Sequence, residues 1–116
     1  MSVLIDRDAL DQLKDFIGDK FAHIVETYLK NSEMYVGTIQ TAMQSNDAQA
    51  VADAAHPLKS SSGNVGLQAL HELCENIEHT ANMVVSGEEQ MDRLNALVEK
   101  IGDLYTESVA LLKAEL

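Results

Sequence analysis

The sequence contains no tryptophan, one cysteine, one proline, two phenylalanines and three tyrosines. A lone cysteine, Cys74, has no internal disulfide partner, so stability must come from packing, in keeping with a reducing compartment. One proline and six glycines in 116 residues leave little turn material, and no strand-like alternation stands out. No apolar run is long enough to cross a bilayer, and the opening MSVLIDRDAL lacks the basic-then-apolar layout of a secretory signal. The chain therefore reads as soluble and cytoplasmic, with no membrane partner. Basic residues are also scarce: eight against nineteen acidic ones give a formal charge of −11. Such a chain repels polyphosphate backbones and anionic lipid, which argues against nucleic acid as a partner. Most of this charge serves solubility, and it is compatible with a partner that has a local basic or metal-bearing site.

What is present is helix-forming. Ala, Leu, Glu, Lys and Gln abound, and a 46% hydrophobic share suffices for one core but leaves no room for a second catalytic domain. A first short helix is expected over residues 5–17, capped by Asp6, carrying Leu10, Leu13, Phe16 and Ile17 inward, and stopped by Gly18. A long second helix runs from Asp19 to about Ser45 on a stripe that includes Phe21, Ile24, Val25, Tyr28, Val36 and Ile39. Asn46 with Gln49 resembles a capping box before a third helix, Ala48 to Val65, interrupted by Gly66. Leu67, Leu70, Leu73, Cys74, Ile77 and Ala81 mark a fourth helix to about Val85. Ser86 with Glu89 is a second capping-box signature, opening a fifth helix whose stripe runs from Leu94 through Ile101 and Tyr105 to Leu111 and Leu112. Short loops between long amphipathic helices favour antiparallel neighbours. The expected fold is all-α, one domain over residues 1–116: an up-and-down four-helix bundle with the first helix across one end. No repeat or linker interrupts it, and with Met1 at its start the chain is expected to be a free-standing protein; a monomer is the simpler expectation because one reacting histidine needs no second subunit.

The chemistry concentrates in AAHPLKSSSGNVGLQAL, residues 54–70. The core stripe of this helix uses Val51, Ala54, Ala55, Leu58, Ser62 and Val65, which turns His56 toward solvent. Around His56 lie Ala52, Asp53, Lys59, Ser60 and, two turns on, Gly63: small side chains beside one cation, a surface that another protein can approach closely. Imidazole suits nucleophilic phosphoryl transfer because its neutral nitrogen is available near physiological pH and can pass the group on. Lys59 offsets phosphate charge. Because such transfer needs mainly alignment and charge neutralisation, a histidine beside a lysine suffices if a partner brings Mg²⁺ and an acceptor carboxylate. No Gly-rich loop or nucleotide signature supports use of ATP.

His56, Leu58, Lys59, Ser61, Ser62 and Gly66 together resemble the pattern His-x-Leu-Lys-Gly-Ser-x-x-x-x-Gly of the histidine-containing phosphotransfer (HPt) family, a similarity that continues through LQALHELCENIE. The resemblance implies a four-helix bundle whose histidine is phosphorylated at Nε2, with the lysine beside it and a residue of the next helix, here Glu78, holding Nδ1. It implies a carrier between receiver-domain aspartates with no autokinase activity, whose partners are response-regulator receivers and a hybrid sensor kinase. Mg²⁺ is then supplied by the receiver. Two departures stand out: Ser60 replaces the family's glycine, and Pro57 sits where a helix loses its bond to the Asp53 carbonyl, at a propensity cost of about 3 kcal/mol. Local rules alone end the helix at His56, whereas the resemblance implies a continuous one.

Several residues have plainer readings. Ser61 and Ser62 are expected to bond back to the preceding turn, and Gly63 and Gly66 to permit close packing or a helix end. Tyr28, Tyr35 and Tyr105 read as core or boundary aromatics. His71, Cys74, Glu75, Glu78 and His79 recur at spacings of three and four, but Cys74 falls on the core stripe and no HExxH occurs, so a metal site is not expected. The rival to a carrier is a non-catalytic helical adaptor that binds a signalling partner through its His56 face.

Overall fold

In a computed structural model that describes residues 3–116, every regular element is helical; Met1 and Ser2 lie outside the described residues. The order is α1 (Arg7–Ile17), a 3-10 turn (Gly18–Lys20), α2 (Phe21–Gln44), α3 (Ala48–Asn64), α4 (Gln68–Val85), α5 (Met91–Val98) and α6 (Ile101–Lys113). Helices α2, α3, α4 and the α5–α6 pair form the four walls of an up-and-down bundle, each packed on the next around the ring. The molecule measures 46 × 27 × 21 Å.

Three of the corners use one device. Asn46, Gly66 and Gly87 take positive φ (53°, 77° and 81°) two residues beyond the ends of α2, α3 and α4. In each, the next amide reaches back to a carbonyl of the last turn: Asp47 N–H to Ala42, Leu67 N–H to Ser62 and Glu88 N–H to Met83, at 2.9, 2.9 and 2.8 Å. These are Schellman closures, which need a residue that tolerates the left-handed region; glycine and asparagine do. The two expected capping boxes are corrected by this chemistry. Asn46 closes α2 and so cannot cap α3; Asp47 does, accepting from the Ala50 amide at 3.0 Å. Ser86 belongs to the C-terminus of α4, its hydroxyl bonding the Met83 carbonyl, and α5 begins only after Gln90.

The expected single fifth helix is two. The Lys100 amide bonds the Leu97 carbonyl three residues back, tightening one turn between α5 and α6. Glu99 and Lys100 keep right-handed helical dihedrals, so the buried phase through Leu94, Val98 and Ile101 survives the break. Beyond it the inward position falls to Ser108 and Leu112, while Leu111 is exposed, contrary to the expected stripe. Phe16 is likewise corrected: it is 90% exposed, because the inward face of α1 runs through Leu10, Leu13 and Ile17 and Phe16 lies off it.

Helix α1 starts at the expected cap, with the Asp6 carboxylate accepting from the Ala9 amide. It crosses the end of the bundle where α3 turns into α4. The Asp6 amide donates to the Gly66 carbonyl at 2.7 Å, and a Cβ at Gly66 would stand 3.2 Å from the Asp6 carbonyl oxygen. Arg7 and Lys14 both grip Glu115 at the far end of the chain. Hydrogen bonds from Arg7 and Lys14, helped by their charges, hold its carboxyl down at about 2, against burial. Among the described residues no helix is long and apolar enough to cross a membrane.

Candidate functional site

Helix α3 owes its orientation to a run of fully enclosed side chains, Val51, Ala55, Leu58 and Ser62, spaced by three and four. Ser62 does not bond back to its own turn as expected; its hydroxyl pairs with Tyr28 Oη at 2.8 Å, tying α3 to α2 inside the core. Ser61 does bond back, to the Leu58 carbonyl. Burial pushes the Tyr28 hydroxyl well above the usual phenol range, the Ser62 bond opposing it, so it stays a neutral link. Pro57 lies inside α3, which continues through it. With the inward phase fixed on both sides of the proline, packing holds the helix together where local propensity would end it.

His56 therefore stands outward, its side chain 66% exposed. Helix α4 runs antiparallel beside it, anchored by the enclosed Leu70, Cys74, Ile77 and Ala81. That phase brings Glu78 to the α3–α4 seam. Its carboxylate is shared: Oε2 lies 2.7 Å from His56 Nδ1, and Oε1 accepts from Lys59 Nζ at 2.6 Å. Partial burial raises the Glu78 pKa, but the bonds to Lys59 and His56 more than offset it, leaving the carboxyl below its ordinary value. Lys59 is raised by the same bond. An ionised carboxylate only accepts, so Nδ1 must carry the hydrogen, and a neutral ring then keeps its lone pair on Nε2.

His56, Lys59 and Glu78 are thus brought together from two helices. Ser60, on the next turn, is exposed. The other two residues expected on the docking surface are corrected. Ala52 is only 4% exposed, part of the packed interior, and presents no surface. Gly63 does not look outward into free space: a Cβ there would stand 3.0 Å from His71 Nδ1 of α4. A groove between α2 and α3 that sequence reading missed opens beside His56, with Pro57 and Ser60 on one wall and Ile24, Thr27, Asn31 and Tyr35 on the other. Ile24, assigned to the core by its periodicity, is 39% exposed here; its signal was an apolar residue beside the polar His23 and Thr27, at the edge of the stripe. Among the described residues no group of three or more His, Cys, Asp or Glu is placed to hold a metal. Cys74 is fully enclosed, and burial pushes its thiol up to about 12.

Known proteins resemble this chain in sequence and in fold. The family model described as Hpt domain matches residues 23–109. The chain is 26% identical over 121 residues to Multistep phosphorelay regulator 1 of Schizosaccharomyces pombe, covering 94% of this chain. It spans only 41% of that relative's length. The crystal structure of histidine-containing phosphotransfer protein B (HptB) from Pseudomonas aeruginosa PAO1 superposes with a TM-score of 0.86 at 27% identity, covering 97% of this chain and 93% of that one.

Proposed function

The chain belongs to the Hpt domain family, and from that membership we propose that it carries a phosphoryl group on Nε2 of His56 between receiver-domain aspartates of a phosphorelay. The observation that carries this reading is the exposed imidazole whose Nδ1 lies 2.7 Å from an acceptor-only carboxylate. In the accepting step the Nε2 lone pair attacks the phosphorus of a partner's aspartyl phosphate. The Nε2–P bond forms, the P–O bond to the aspartate breaks, and its electron pair leaves with the carboxylate. Nδ1 keeps its hydrogen throughout, so the ring becomes an imidazolium beside Glu78, whose negative charge stabilises it. Delivery reverses the bonds: a second aspartate attacks phosphorus and neutral imidazole leaves. No proton has to move in either direction.

Lys59 has three N–H donors, of which Glu78 takes one; another is free for a phosphoryl oxygen. The remaining charge is neutralised by Mg²⁺ held in the receiver, since phosphoryl transfer asks chiefly for positioning and electrostatics. The receiver docks over Ser60 and the α2–α3 groove, whose lining supplies apolar contact beside the reacting nitrogen. The protein acts as a monomeric cytoplasmic carrier without autokinase activity, charged by way of a hybrid sensor kinase and discharged to a response regulator.

The test is incubation with a phosphorylated, Mg²⁺-loaded receiver, followed by a search for acid-labile, base-stable label on the chain. Label is expected at His56 and absent from His56→Gln, which keeps its helical fold because the side chain is outside the core. Label that persists in His56→Gln, or maps to His23, His71 or His79, refutes the reading. A receiver that binds the His56 face and transfers nothing makes the chain an adaptor.

A further inference from the structure

His71 has no part in the transfer step, yet it makes the second polar tie across the α3–α4 seam. Its Nδ1 lies 2.9 Å from the backbone carbonyl of Lys59, and the ring fills the space left by the absent side chain of Gly63. A carbonyl only accepts, so His71 Nδ1–H donates. Lys59 is consequently held by α4 at both ends: its ammonium by Glu78 and its main chain by His71. Both ties lie within one helical turn of His56.

We propose that His71 is a positioning residue for phosphoryl transfer, seated on Gly63 and donating to the Lys59 carbonyl so that α3 and α4 keep the register that puts Glu78 on Nδ1 of His56. Two features support a specific role for the donor beyond bulk. The contact is to a carbonyl that already has a helical partner available four residues on, so no burial requirement demands it. The matching glycine is needed at one place only: a Cβ at Gly63 stands 3.0 Å from the donating nitrogen itself and 3.4 and 3.5 Å from its ring neighbours Cε1 and Cγ, so any side chain there displaces the donor first. Without this tie, sliding or splaying of α3 on α4 lengthens the His56–Glu78 bond, and the ring loses its bias toward Nδ1–H.

This inference rests on His56 being the phosphoryl acceptor only for its kinetic arm; its structural arm is independent. The experiment compares the full-length protein with His71→Leu, His71→Asn and Gly63→Ala. Leucine fills volume without a donor. Asparagine places an amide N–H near the position of Nδ1. The readouts are the nitrogen-15 NMR spectrum of the His56 imidazole, which reports the Nδ1–H fraction, the rate of acceptance from a phosphorylated receiver, and thermal unfolding.

His71→Leu and Gly63→Ala are expected to lower the Nδ1–H fraction of His56 and to slow acceptance about three- to tenfold, the range set by losing one hydrogen bond. His71→Asn is expected to restore both to within about twofold. Unfolding serves as control, and the NMR comparison is made well below each variant's transition. A wild-type His56 spectrum in His71→Leu overturns the proposal, as does a His71→Asn variant no better than His71→Leu. Slowed acceptance with an unchanged spectrum also overturns it, since His71 would then act on docking. If the wild-type chain accepts no phosphoryl group, the assignment of His56 fails while the spectra still decide the role of His71.

Discussion

Removing the Glu78 carboxylate is the most informative single perturbation of the site. In Glu78→Ala the His56 Nδ1–H loses an acceptor at 2.7 Å and Lys59 loses one at 2.6 Å. A charge-assisted bond is worth about 1.5–3 kcal/mol when shielded. His56 is 66% exposed and water replaces the lost acceptor, so the lower end applies, about 1–1.5 kcal/mol. At 1.4 kcal/mol per decade this lowers the ratio of the Nδ1–H to the Nε2–H tautomer about five- to twelvefold and slows acceptance within that range. Glu78→Gln separates geometry from charge. Its amide oxygen still accepts from Nδ1–H, so the tautomer is retained, but the negative charge that stabilises the phosphorylated imidazolium is gone. The equilibrium share of phosphoryl on His56 against a receiver aspartate should therefore fall in Glu78→Gln while the nitrogen-15 spectrum of the free ring stays close to wild type. The assay is acid-labile label measured over time and at equilibrium, with the imidazole spectrum recorded on the same samples. Equal rates and an equal tautomer in wild type and Glu78→Ala would refute the role assigned to the carboxylate. An unchanged partition in Glu78→Gln would refute the electrostatic part alone.

Lys59→Ala should slow acceptance without abolishing it, because the receiver's Mg²⁺ carries most of the neutralisation; a wild-type rate would leave Lys59 a surface residue. Ser60→Gln should block transfer from a receiver while a small phosphodonor still labels His56, whereas Gly63→Gln, which drives a side chain into His71, should lose thermal stability as well; a Gly63→Gln melting curve matching wild type would contradict the packing described here. Glu115→Gln should destabilise the fold by about 1 kcal/mol at neutral pH, the scale of a solvent-screened ion-pair network. The folded-state pKa of Glu115 is depressed to about 2 from 4.5, so its contribution is complete above pH 4.5 and is lost as pH falls through about 2; urea titrations across that window should show wild type and variant converging in acid. Cys74, enclosed and with its thiol pushed up to about 12, should react with thiol reagents only as fast as the bundle opens, and rapid labelling of the native protein would place it outside the core.

How far the sequence reaches differs between the elements. Helix phases were legible because burial repeats every three to four residues: Val51, Ala55, Leu58 and Ser62 are all enclosed, as are Leu70, Cys74, Ile77 and Ala81. Boundaries were less so. Asn46 and Ser86 have the side chains of N-caps, but the left-handed backbone of Asn46 and the helical backbone of Ser86 fit the closures of α2 and α4 and not the extended conformation an N-cap takes. Periodicity was equally blind to the tight turn at Lys100, which changes one hydrogen bond and leaves the buried phase intact.

For the site, the sequence alone determined that an imidazole with a lysine three residues on stands off the apolar stripe of a helix, because side-chain direction on a helix follows from spacing. It also placed Glu78 on the next helix by resemblance to a family pattern. The tertiary structure decided what spacing within one helix cannot. It set Glu78 between His56 and Lys59, laid a groove beside them with α2, enclosed Ala52, and gave the space at Gly63 to His71. Each of these depends on how close a second helix comes and at what register. Those quantities are fixed by the packing of whole cores, and no local run of residues encodes them.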